Sequence, residues 1–74
     1  MCGIIGYAGK DKAIEVVIHG LKNLEYRGYD SAGITYLSKN KFEIVKSVGK
    51  IKNLEEKLDL NEKSNLAIGH TRWA

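Results

Sequence analysis

The order of apolar segments along this 74-residue chain predicts an α+β fold of layered type. Two observations carry that prediction. Residues 13–24 repeat their apolar side chains at steps of three and four, the period of a helix, whereas residues 32–37 and 42–48 read as strands joined by a hairpin turn. The whole series reads strand, helix, strand, strand, helix, strand, an order that suits a sheet covered by helices.

Each element has its own signal. Cys2 to Tyr7 is short and apolar, with Gly3 and Gly6 breaking the run, as expected of a buried strand with close backbone neighbours. Gly9, Lys10 and Asp11 form a turn, with Asp11 placed to cap the helix that follows. Ala13, Ile14, Val17, Ile18, Leu21 and Leu24 define one apolar stripe on a helix from Asp11 to Leu24. His19 falls inside that pattern as a helix residue. Gly20 also lies within it, at a cost of about 1 kcal/mol relative to alanine, which implies a closely packed neighbour. Residues 25–31 are polar and turn-like. Ala32 to Leu37 is a strand, Ser38 to Lys41 a hairpin turn, and Phe42, Ile44, Val45 and Val48 a second strand ended by Gly49. Ile51, Leu54 and Leu58 space out a short helix, residues 61–65 a loop, and Leu66 to His70 a last strand. The chain ends just past that strand and reads as cut rather than finished.

Composition narrows the function classes. The formal net charge is +3, and the lysines of the middle segment are interrupted by Glu43, Glu55 and Glu56. With Arg27 and Arg72 the only arginines, this is a solvated lysine-rich surface and not a nucleic-acid face. No apolar run reaches the ~20 residues of a membrane span, and no export leader is recognisable. The single cysteine, Cys2, excludes an intrachain disulfide and suits a reducing cytoplasm. Cys2 with His19 and His70 lacks zinc-ligand spacing, so no metal and no cofactor are expected.

Three segments could carry chemistry. Cys2 directly follows the initiator methionine, whose removal would leave a thiol and a free α-amine on one carbon. Their ordinary pKa values are about 8.5 and about 8, so the amine can act as base for its own nucleophile. The run from Tyr26 to Gly33 is a polar, glycine-bearing loop between a helix and a strand. Asp30 and Ser31 there suit either a turn bonded to its own backbone or part of a site. Arg27 could bind an anion or hold the loop. At the end of the last strand, Arg72 offers a planar fork suited to a carboxylate, Trp73 a surface for a pocket or a core, and His70 a structural side chain.

Met-Cys-Gly-Ile-Ile-Gly at 1–6, Leu-Glu-Tyr-Arg-Gly-Tyr-Asp-Ser-Ala-Gly-Ile at 24–34 and Gly-His-Thr-Arg-Trp-Ala at 69–74 together resemble the class II glutamine amidotransferases. Tyr26, Tyr29 and Trp73 favour a member that donates nitrogen to fructose 6-phosphate. The amidophosphoribosyltransferases and a non-catalytic fragment are the alternatives. The resemblance implies the N-terminal-nucleophile hydrolase sandwich of αββα layers, incomplete here, with residues 1–74 as the N-terminal part of a type-2 amidotransferase domain. It implies Cys2 as nucleophile, Arg72 as partner of the glutamine α-carboxylate, Trp73 at the entrance of an ammonia channel and Arg27 ordering the site. The partners implied are glutamine and fructose 6-phosphate, with a cytoplasmic, homo-oligomeric parent enzyme and no nucleic acid or membrane. Oxyanion donors and the sugar isomerase would lie beyond residue 74, so the isolated chain is expected to hydrolyse glutamine poorly.

Overall fold

Two glycines and a stripe of aliphatic side chains set the arrangement seen in the computed structural model, which describes residues 3–25 and 30–72. The elements are β1 (Gly3–Ala8), α1 (Ala13–Leu24), β2 (Ser31–Ser38), β3 (Lys41–Val48), α2 (Ile51–Glu55) and β4 (Leu66–Arg72). The strands form one sheet in the order β1-β4-β2-β3, and every pairing is antiparallel. The two helices lie together on one face. Ile14, Val17, Ile18 and Leu21 of α1 join Ile51 and Leu54 of α2, all at 2% exposure or less, over Ala32, Ile34, Tyr36 and Ala67 of the sheet.

The α1 contact depends on absent side chains. A Cβ on Gly20 would lie 2.0 Å from Ile5 Cδ1, and one on Gly69 would lie 2.6 Å from Val17 Cγ1 and 2.9 Å from Leu21 Cδ1. The helix therefore sits closer to β1 and β4 than any side chain would allow, which accounts for a glycine in the middle of a helix.

Helix starts and ends depart from the expected pattern. Asp11 is not the cap of α1. The helix begins at Ala13 with Lys12 as N-cap and no side-chain cap bond. Instead the Ala13 N–H donates to the Ser64 carbonyl at 2.9 Å, within a bridge between Lys12 and Ser64. A backbone acceptor brought by the loop before β4 replaces the side-chain acceptor. Helix α2 stops at Glu55, short of Leu58. Its last turn tightens into bonds from Lys57 N–H to Leu54 O and from Leu58 N–H to Glu55 O, and Leu58 still packs on the core. Its first N–H, from Ile51, donates to Glu25 Oε2 at 3.2 Å, which ties the start of α2 to the end of α1. The Lys22–Glu55 ion pair, 2.9 Å long, spans the two helices on the solvent side and adds little to stability.

Strand β1 is an edge strand with one covered face and is not buried on both sides, and Ile4 is 78% exposed. The β2–β3 hairpin closes through Lys39 and Asn40, both with positive φ (51° and 68°), the twist-matched turn that two-residue hairpins require. On β3 the apolar side chains Phe42, Ile44 and Val48 face away from the helices and stay largely exposed. Among the described residues no helix is long and apolar enough to cross a membrane.

Two outcomes follow from this packing. Gly20→Ala gains about 1 kcal/mol of helix propensity but incurs an overlap of about 1–3 kcal/mol, so it should lower the urea midpoint. Ile5→Val removes Cδ1, costs about 0.5–1.5 kcal/mol alone, and should become stabilising in the Gly20→Ala background. The second concerns Tyr36. Burial, then the charges of Glu62, Glu43 and Asp59 with a hydrogen bond to Glu62, raise its pKa above the ordinary 10.0. The unfolded chain then ionises first, so Tyr36 supports the fold fully below pH 10 and loses that support as pH rises towards its own pKa. Urea midpoints compared at about pH 9 and about pH 11 should fall less in Tyr36→Phe than in the parent chain.

Candidate functional site

The run Gly69-His70-Thr71-Arg72 lies along β4, a central strand, and alternation divides it between the two faces of the sheet. Gly69 and Thr71 point to the helices, and Thr71 is 4% exposed. His70 and Arg72 therefore point to the open face. Arg72 ends the strand, and its position is fixed through the backbone. Ser31 pairs with Arg72 in register, and the Asp30 N–H donates to the Arg72 carbonyl at 2.8 Å. The Asp30 carbonyl in turn accepts from the Gly49 N–H at 3.0 Å, which draws the end of β3 to the same corner.

The other half of this corner is the beginning of the chain. Gly3 pairs with Thr71 and Ile4 with His70, so the residue after Cys2 stands beside the residue before Arg72. Cys2, Arg27 and Trp73 themselves lie outside the described residues. Of the four residues singled out in the sequence, Arg72 is thus the one whose surroundings can be stated. Its guanidinium has no hydrogen bond or ion pair with any described side chain and is exposed.

Two clefts border both His70 and Arg72. One, of about 470 Å³, is bounded by Ser31, Lys46, Val48, Lys57, His70 and Arg72. The other, of about 550 Å³, lies towards β1, against Gly3, Ile4, His70, Thr71 and Arg72. Among the described residues the wall of the first cleft carries basic side chains and no carboxylate, which favours an anionic group that a guanidinium fork binds in two-point fashion. Asp30 and Ser31 were left open between turn and site by their sequence; the backbone bonds of Asp30 run to Arg72 and Gly49 on neighbouring strands, and Ser31 borders the first cleft. His70 and Lys46 were not among the sequence candidates. The signal for His70 was its spacing of two from Arg72 on a strand, which puts both on one face. Lys46 carried no such signal, because its place depends on the β2–β3 register. Among the described residues no group of three or more His, Cys, Asp or Glu side chains could hold a metal ion.

This architecture is that of known enzymes. A solved structure described as the allosteric regulatory enzyme of purine biosynthesis matches all of the chain with a TM-score of 0.83 at 31% identity, over 16% of its own length. The glutamine phosphoribosylpyrophosphate amidotransferase from B. subtilis matches equally fully, with a TM-score of 0.82. The chain is therefore a partial α+β domain of the N-terminal-nucleophile amidotransferase fold, of class II type.

Within that class, the chain is similar over its full length to the N-terminal part of glutamine–fructose-6-phosphate aminotransferase [isomerizing]. It is 61% identical over 74 residues to that protein of Methanosarcina acetivorans, 58% to that of Methanosarcina mazei, and 57% over 75 residues to that of Pyrococcus horikoshii. It spans about 12% of the length of each of these relatives. No family model matches the chain.

Proposed function

We propose that this chain forms the front of the glutamine-hydrolysing part of an enzyme that transfers the amide nitrogen of glutamine to fructose 6-phosphate, giving glucosamine 6-phosphate. The observation that carries this reading is the β1–β4 register, which sets Gly3 against Thr71 and so brings the chain start and the Arg72 corner side by side. The identity of 61% to an aminotransferase acting on fructose 6-phosphate, against 31% to the phosphoribosylpyrophosphate enzyme, favours the sugar acceptor. The remainder of the domain and the sugar-isomerising part would belong to the longer polypeptide.

In this reading Met1 is removed and the α-amine of Cys2 takes the thiol proton. The sulfur attacks the side-chain amide carbon of glutamine, and the resulting tetrahedral intermediate expels ammonia with the proton held by the amine. The γ-glutamyl thioester left behind is hydrolysed by water, which restores the thiol and releases glutamate. Arg72 grips the α-carboxylate with its fork, Trp73 stands at the mouth of the ammonia path, and Arg27 orders the surroundings of Cys2. The cysteine count supports a cytoplasmic setting, and we place the full enzyme there as a homo-oligomer.

The tests use the full-length enzyme. Intact mass should show Met1 absent, and active material that keeps Met1 throughout would rule out the amine as base. Cys2→Ala should abolish ammonia release from glutamine while leaving the sugar reaction with added ammonia intact. Arg72→Lys should raise the glutamine KM about ten- to hundredfold, since a point charge replaces a charge-assisted two-point contact worth roughly 1.5–3 kcal/mol. Unchanged glutamine kinetics would assign Arg72 a role in the fold alone.

A further inference from the structure

The open face carries two parallel rows of residues across the sheet. The outer row holds Arg72, Ser31 and Val48, and the row behind it Ile4, His70, Gly33 and Lys46. Gly33 contributes no side chain, and the imidazole of His70 occupies the space. A Cβ built on Gly33 would lie 2.6 Å from His70 Nε2, 3.2 Å from Cε1 and 3.4 Å from Cδ2. The ring thus rests over the backbone of β2, half-buried, and borders both of the clefts that Arg72 borders. No hydrogen bond joins it to another described side chain, and the space left by Gly33 receives the ring.

Arg72 has the complementary problem. It stands at a strand end, exposed and unpaired among the described residues, on a long side chain with many rotamers to lose on binding. Residues two apart on a strand are roughly 6.5 Å apart on the same face, and guanidinium groups stack on flat rings. His70 stands one row behind Arg72 on that face and shares both of its clefts.

We infer that His70, seated on Gly33, is a positioning residue that holds Arg72 ready for the carboxylate of glutamine. The inference rests on the glutamine reading given above. Gly33 is then a part of the site although it touches no substrate, because any side chain there would lift the ring.

The experiment is a double-mutant cycle on glutamine kinetics in the full-length enzyme. His70→Ala should raise the glutamine KM by about three- to tenfold, the effect of one side chain that must be ordered on binding, with kcat changed much less. Gly33→Ala should raise KM similarly, yet add nothing in the His70→Ala background. His70→Phe, which keeps a flat ring, should restore most of the lost affinity, and it also serves if His70→Ala does not fold. Wild-type KM in folded His70→Ala, independent additive effects of the two sites, or a His70→Phe KM no better than that of His70→Ala (of Gly33→Ala, should His70→Ala not fold) would each overturn the inference. A wild-type enzyme without glutamine hydrolysis would overturn the reading beneath it instead.

Discussion

The close approach of α1 to β1 and β4 is the contact on which the rest of this structure depends. Gly20 admits Ile5 into the helix surface, and Gly69 admits Val17 and Leu21 into the surface of β4. Each side of the interface gives up a side chain where the other inserts one. That exchange buries the aliphatic stripe of α1 and fixes the height of the helix above the sheet. Ile51 and Leu54 of α2 then complete the same layer, and Glu25, at the end of α1, accepts the first N–H of α2.

With one face of the sheet closed in this way, alternation along β4 decides what the other face offers. Gly69 and Thr71 serve the core, so His70 and Arg72 must serve the open side. The same strand therefore packs the helix and presents the cation of the candidate site. A one-residue slip of β4 would exchange these roles and ruin both at once. The backbone bond from Asp30 to the Arg72 carbonyl, and that from Gly49 to Asp30, hold the register at the corner where it matters.

The departures from sequence expectation share a cause. Asp11 has the chemistry of a helix cap, but the Ser64 carbonyl reaches the Ala13 N–H first. Leu58 has helical spacing, yet the helix tightens and ends at Glu55 while the side chain still finds the core. In β1 the apolar run suggested burial, and the strand lies instead at an edge with Ile4 outward. In each case a neighbour distant in sequence supplied, or failed to supply, the partner that local pattern assumes.

The sequence by itself determined every element and its type, because helical and strand periods and turn chemistry act over a few residues. The aliphatic stripe of α1, the hairpin at Lys39–Asn40 and the last strand from Leu66 to His70 are all legible in this way, while the two further residues that carry β4 to Arg72 are not. It also pointed to the class, through the resemblance of three short runs, 1–6, 24–34 and 69–74, to the class II glutamine amidotransferases. Tertiary structure alone decided that β4 lies between β1 and β2, since strand order depends on pairings between residues far apart in the chain. That order brings Gly3 to Thr71 and Ser31 to Arg72. It also seats His70 on Gly33, a contact with no local signature: it consists of a ring filling the space that a missing side chain leaves on another strand.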